Sequence, residues 1–231
     1  MPPATIHLPA VSPYELWLVR LAQDRVEPDL NGLDAQERER AARFKFERDR
    51  RRYVDAHLAL RRVLAGRTGR AAAALEFVAG AYGKPRLAGP ASCAFSLSHS
   101  DDLALIALAD DGEIGVDLER VRPLPDLDAL AHQCLTAQER QALAAVPQAD
   151  RPHAFLQSWT RKEACLKALG TGLQVEPATF AVGRDGDGDG DEALVRIETA
   201  AGTRSVIVRS LNPDPDWVAA VARVTNRSEG G

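Results

Sequence analysis

The chain has 231 residues, is 45% hydrophobic and carries a net charge of −4, enough apolar material for one large core or two small ones, with no run long enough to span a bilayer. The first eight residues lack a basic stretch followed by an apolar run, so export is not expected and a cytoplasmic protein without a membrane partner is. Cys93, Cys134 and Cys165 are odd in number and far apart, which argues against a disulfide framework and against a zinc site.

Residues 14–21 read as a strand, followed by a loop that holds Pro28, Asn31 and Gly32. Asp34, with Glu37 three residues on, forms a capping-box pattern that opens a helix reaching about Arg43. Residues 49–64 predict a longer helix with Tyr53, His57, Leu60 and Leu64 on one stripe and an end near Gly66. Its other faces are crowded with arginine. Between Arg38 and Arg70 stand 12 Lys or Arg against 4 acids, a balance of +8 that leaves −12 to the remainder of a chain of net charge −4. That asymmetry points to an anionic ligand held by the first part of the chain. Nucleic acid would exploit the same charge. Phe44, Phe46 and Tyr53, however, stand where a core uses them, and a single polyanionic small molecule fits at least as well.

Residues 75–78 and 85–87 are short strands separated by the turn Tyr82-Gly83-Lys84. Residues 93–100 alternate, and 103–109 are almost wholly apolar, as a strand buried on both faces would be. Asp110-Asp111-Gly112 is a tight-turn signal, so 103–109 and 114–119 are expected to form a hairpin. Helices are predicted over 127–134, from the capping box of Thr136 and Glu139 to before Pro147, and over 152–169, where Gly170-Thr171-Gly172 stops the last one. Strands at 194–198, 205–209 and 217–224 complete the chain before a frayed tail. The Asp/Gly alternation from Asp185 to Asp191 mimics a calcium loop, but Arg196 occupies the position that needs a bidentate glutamate, so a polar loop is the reading. Helix, turn and strands thus occur twice over, an order that predicts two similar α+β lobes meeting at a central cleft.

Two segments carry chemistry. In Ile114-Gly115-Val116-Asp117-Leu118-Glu119, the period of a strand puts Asp117 and Glu119 on one face, about 7 Å apart along the chain at roughly 3.3 Å per residue. Alone, such a pair reads more readily as solvent-facing charge on an edge strand, and it is Glu163 that shifts the balance. On the helix over 152–169, Phe155, Trp159, Leu166 and Leu169 define an apolar stripe, with Glu163 and Lys167 along its margin and Lys162 inside it. Three carboxylates, Asp117, Glu119 and Glu163, would suit magnesium, which prefers hard oxygen ligands. Lys162 either snorkels or reaches a carboxylate or phosphate. Ser98 and His99, adjacent on a strand, point to opposite faces and are poorly placed for a nucleophile and its base; as donors to a phosphate they make better sense.

Taken together, residues 44–52, Tyr82-Gly83-Lys84-Pro85, Phe95-Ser96-Leu97-Ser98-His99-Ser100, Gly115-Val116-Asp117-Leu118-Glu119 and the Trp159-to-Lys167 segment resemble the 4′-phosphopantetheinyl transferases of the Sfp type, in order, over about residues 33–173. The most specific part is G-V-D-x-E followed after about forty residues by W-x-x-K-E-A-x-x-K. The resemblance implies a monomeric pseudo-dimer of two α+β lobes, each a small antiparallel sheet with a long helix: residues 1–111, residues 112–224, and a tail at 225–231. It implies an enzyme, at work in secondary-metabolite biosynthesis, that binds coenzyme A and Mg²⁺ (or Mn²⁺) in the cleft. Such an enzyme moves the phosphopantetheine arm onto a serine of an apo acyl or peptidyl carrier protein and releases adenosine 3′,5′-bisphosphate, with no part for nucleic acid.

By the same resemblance, Asp117, Glu119 and Glu163 match the metal ligands, Glu163 is the expected base, and Lys167 matches a lysine that assists the leaving phosphate. Lys84, Ser98 and His99 are expected at phosphates, Arg40 and Arg52 at the 3′-phosphate or adenine end, and Glu139 at an acidic position found near the metal in some members. Where some members carry two lysines on the first helix, this chain has Glu37 and Arg40, so Arg38 or Arg43 is left to compensate. Leu124, Leu127, Leu130 and Leu135 are expected to offer the carrier an apolar docking surface. Two other activities share these residues: a non-catalytic, regulatory coenzyme A binder, and metal-dependent cleavage of coenzyme A to water.

Overall fold

The computed structural model describes residues 4–7, 14–21, 30–80, 82–89, 93–183 and 192–225. Pro28 in the first loop, the Asp185-to-Asp191 run and the tail at 226–231 lie outside the described residues. The chain is α+β with small antiparallel sheets, and it divides into two compact units, one drawn from residues 1–80 and 85–111 and the other from 81–84 and 112–231.

In the first unit, β1 (Ala4–His7), β2 (Tyr14–Arg20), β5 (Ala94–Ser100) and β6 (Leu103–Ala109) form an antiparallel sheet in the order β1-β2-β6-β5. β6 is central and buried at all its positions, which explains its unbroken apolar run. Helices α1 (Ala35–Ala42) and α2 (Glu47–Thr68) and the short pair β3 (Phe77–Ala79) and β4 (Pro85–Leu87) complete the unit. Both halves of the Asp34–Glu37 capping box are made. α2 lays Ala56, Ala59, Leu60 and Leu64 on Ala104, Ile106 and Leu108 of the sheet. That packing carries the helix past Gly66, where it was expected to end, and Gly69, with φ of 70°, supplies the left-handed cap instead.

Arg61 of α2 is almost wholly buried. Its guanidinium donates to Asp34 Oδ2 (2.5 Å), Glu37 Oε2 (2.7 Å) and the carbonyls of Ala72 and Leu75, and it lies over the Phe77 ring. One side chain thus fastens the α1 N-terminus to α2 and to the segment that leads into β3.

In the second unit, β7 (Ile114–Arg120), β8 (Glu192–Thr199), β9 (Gly202–Asp214) and β10 (Trp217–Val224) form an antiparallel sheet in the order β7-β10-β9-β8. Helices α3 (Leu127–Cys134) and α4 (Ala137–Ala144) precede α5 (Arg151–Leu169), which lies across β7, β10 and β9. Its core joins Ala164, Cys165 and Ala168 to Ala220, Ala222 and Val208. Among the described residues no helix is long and apolar enough to cross a membrane, and the three cysteines are free and buried.

The strand pairing differs from the sequence reading at two places. β6 and β7 are not a hairpin, because β6 has β2 and β5 on its two edges and β7 pairs with β10; the Asp-Asp-Gly turn connects two units. β1, short and without a clear alternation, was not anticipated. Of the leucines expected to offer a docking surface after Pro123, Leu135 is buried, and Leu124, Leu127 and Leu130 are partly buried against a core that includes Phe155 and Leu156.

Candidate active site

The geometry of the second unit follows from Gly115. A Cβ on this residue would lie 2.1 Å from the Ala164 carbonyl oxygen and 2.3 Å from the Ala168 nitrogen, so α5 and β7 touch backbone to backbone where only glycine fits. Facing Ala222 and Ala220 on β10 keep the same patch thin. Two residues along the same face, Asp117 is buried, and its Oδ1 accepts from Lys167 Nζ at 2.6 Å. Glu119 follows, half-buried, and Glu163 lies one helical turn before Lys167, also half-buried. α5 begins with proline in its first turn and ends on Gly170 in the left-handed region, so its length is locally determined.

Burial raises the affinity of Glu163 for a proton, and the charge of Asp117 raises it further; Lys167 offsets part of this, and Glu119 adds a smaller push upward. Glu163 therefore feels the charges of both Asp117 and Glu119. This donor chemistry, all carboxylate oxygen, fits a hard divalent cation. The three do not stand as a finished ligand set: among the described residues no group of three His, Cys, Asp or Glu side chains is arranged to hold a metal, and Lys167 occupies Asp117 Oδ1.

Two acidic and basic side chains left open by the sequence are structural. Lys162 is fully buried, pairs with Glu139 Oε2 at 2.9 Å, donates to the carbonyls of Pro177 and Phe180, and lies 4.7 Å from the Phe180 ring centroid. Glu139 completes the capping box of α4 and also accepts from the Val182 amide. Its carboxylate is thus spent on α4, α5 and the loop ahead of β8. Burial lowers the proton affinity of Lys162, and Glu139 works against that shift.

Lys84, expected at a phosphate, falls within the second unit. Its ammonium donates to Glu113 Oε2 (2.7 Å) and to the carbonyls of Ile114 (3.0 Å) and Ala168 (3.1 Å).

In the first unit, the basic residues gather along α1 and α2. Arg40 lies over the Tyr53 ring, which stacks on His57 with 3.9 Å between centroids. His57 Nδ1 donates a hydrogen bond to the Tyr53 carbonyl; its pKa is pushed down to about 4, by burial first, against that hydrogen bond, with the nearby charges of His99, Arg40 and Arg61 adding to the fall. His99 is exposed and Ser98 buried, as expected for neighbours on a strand. Arg52 pairs with Asp101 Oδ1 at 3.0 Å in the β5–β6 turn, where Asp101 has a left-handed backbone with φ of 46°.

Gln36, Glu39, Arg40, Arg43 and Phe44 line a pocket of about 590 Å³ in the same unit. Glu37 is turned away to Arg61 and Arg38 donates to the Leu33 carbonyl. Arg43, paired with Glu39, is thus the second arginine at the pocket. Its spacing of three from Arg40 is the signal that singles it out.

Comparison with known proteins gives a consistent result. Residues 22–110 match the family model for the N-terminal part of 4′-phosphopantetheinyl transferases, and residues 113–222 match the model of the 4′-phosphopantetheinyl transferase superfamily. The chain is 37% identical over 216 residues to the 4′-phosphopantetheinyl transferase HetI of Nostoc sp., an alignment that covers 90% of this chain and 87% of that one. It is 28% identical over 186 residues to the transferase psf-1 of Bacillus pumilus (80% and 76% covered) and 25% identical over 209 residues to ffp of Bacillus subtilis (90% of each).

Proposed function

The chain belongs to the 4′-phosphopantetheinyl transferase family and is a transferase enzyme; from that premise we propose that it transfers the 4′-phosphopantetheine arm of coenzyme A to a serine of an apo acyl or peptidyl carrier protein, in a Mg²⁺-dependent reaction of the Sfp type that releases adenosine 3′,5′-bisphosphate. The observation that carries this reading is the close approach of α5 and β7 at Gly115, which brings Lys167 onto Asp117 and a proton-affine Glu163 beside them. Transfer to a serine hydroxyl needs a base for that hydroxyl, positive charge for the leaving phosphate, and neutralisation of the pyrophosphate.

Each role has a residue. Glu163, whose carboxylate holds a proton more tightly than an exposed glutamate does, accepts the proton from the serine hydroxyl. Lys167 supplies the cation at the leaving bisphosphate and, when it turns to that oxygen, releases Asp117. Asp117, Glu119 and Glu163 would hold the magnesium ion, which when bound supplies Lewis-acid neutralisation of the pyrophosphate. In the first unit, Ser98 and His99 are assigned to phosphate oxygens, and Arg40 and Arg52 to the nucleotide end, with Arg43 supplying the second cation at the Arg40 pocket. The protein acts in the cytoplasm as a monomer.

The test is direct. Purified protein, coenzyme A and Mg²⁺ are incubated with apo acyl and peptidyl carriers, and the intact mass of each carrier is measured. A gain equal to one phosphopantetheine arm on the acceptor serine is expected; bisphosphate release without a carrier would point to simple cleavage instead.

A further inference from the structure

Lys84 occupies a junction that the catalytic roles above do not use. Its side chain is 13% exposed, and its ammonium donates to Glu113 Oε2 just before β7, to the Ile114 carbonyl at the start of β7, and to the Ala168 carbonyl in the last turn of α5. The final carbonyls of a helix have no partner further along it and carry partial negative charge, so a cation there is doubly favoured. The stem runs against the helix cap: a Cβ on Gly170 would lie 3.1 Å from Lys84 Cδ. Gly83, with φ of 81°, gives the turn that delivers the side chain.

We propose that Lys84 is a positioning residue, its ammonium clamping the C-terminal turn of α5 to the first residues of β7 and so holding Lys167 and Glu163 in register with Asp117. Ala168 directly follows Lys167, and Ile114 directly precedes Gly115, the point of backbone contact between the same two elements. Loss of the clamp is therefore passed without an intermediary to the 2.6 Å contact between Lys167 and Asp117. The catalytic consequence rests on the transferase reading; the clamp itself does not.

Two variants and two readouts test this. Lys84→Met keeps the length of the stem and removes all three donors, and Glu113→Gln keeps the shape and weakens one partner. Transfer kinetics are measured with coenzyme A varied, and amide hydrogen exchange is followed over residues 166–170. For Lys84→Met, kcat is expected to fall about tenfold or more with KM for coenzyme A changed less than about twofold, and exchange at the α5 C-terminus to quicken about tenfold. Glu113→Gln moves both in the same direction by less, and carries the test alone if Lys84→Met does not fold. A rise in KM for coenzyme A with kcat preserved would make Lys84 a phosphate contact and overturn the proposal, as would unchanged exchange. If the wild-type protein transfers nothing, the transferase reading falls, and the exchange comparison still decides the clamp.

Discussion

Replacing Gly115 by alanine puts the steric basis of the site to the test. The added Cβ would sit 2.1 Å from the Ala164 oxygen, 2.3 Å from the Ala168 nitrogen and 2.9 Å from the Lys167 carbonyl carbon. Ordinary contact begins near 3.4 Å, so the helix has to retreat by about 1.3 Å. The obstructing atoms are backbone, and no rotamer change relieves them. Overpacking of this kind costs about 1–3 kcal/mol, and the upper end applies here, equivalent to a fall in Tm of about 6–12 °C for a chain of this size. The same retreat would stretch the 2.6 Å contact between Lys167 and Asp117 beyond hydrogen-bond range. A misplacement of about 1 Å can cost about 100-fold in rate. Urea unfolding and steady-state transfer kinetics measure the two effects. Gly66→Ala is the control, since a Cβ there meets nothing within 4 Å; in a helix interior it should stabilise by about 0.5–1 kcal/mol and leave the rate alone. If Gly115→Ala were as stable and as active as the wild type, the argument from close approach would be refuted.

Arg61→Met strips the buried Glu37 carboxylate and the partly exposed Asp34 carboxylate of their shared cation and should cost about 3 kcal/mol in urea unfolding; a cost below about 1 kcal/mol would mean that the knot is not holding the first unit together. His57 has its folded pKa lowered to about 4 from an ordinary 6.5, so the unfolded chain takes up the proton first as pH falls. Its contribution is complete above pH 6.5 and is lost between there and about 4, up to about 3 kcal/mol. His57→Phe should flatten that limb of the stability profile, and an unaltered limb would contradict it. Glu163→Gln should abolish transfer while coenzyme A binding, followed by calorimetry, survives. Because burial and Asp117 make the charged form of Glu163 costly at neutral pH, the same variant should be at least as stable as the wild type there; a marked destabilisation would show that Glu163 is structural.

Much of the fold was legible because local rules and tertiary packing agree. The capping boxes of Asp34–Glu37 and Thr136–Glu139 form as read, and the α5 wheel placed Glu163 and Lys167 at a half-covered margin with Lys162 inside. What could not be read depends on partners distant in sequence. Nothing near Gly66 says that α2 continues; the sheet under Leu60 and Leu64 does. Asp110-Asp111-Gly112 looks like any hairpin turn, and only β10, a hundred residues on, takes β7 away from β6. Arg61 belonged to a run of arginines, yet it alone among them is buried on two carboxylates. Lys84 read as a loop cation because the carbonyl it meets at Ala168 is 84 residues away. Gly115 was visible as part of a motif, but its reason, a helix backbone at contact distance, is a fact of packing.

In the proposed reaction, one site on α5 and β7 moves a phosphopantetheine arm to a carrier serine. Intact-mass analysis of apo acyl and peptidyl carriers after incubation with the protein, coenzyme A and Mg²⁺ tests it most directly, with a parallel reaction in which the acceptor serine is replaced by alanine. The expected result is a mass gain of one arm on the native carrier, none on the alanine carrier, and equimolar release of adenosine 3′,5′-bisphosphate. No gain on any carrier, under conditions where the protein binds coenzyme A, would contradict it.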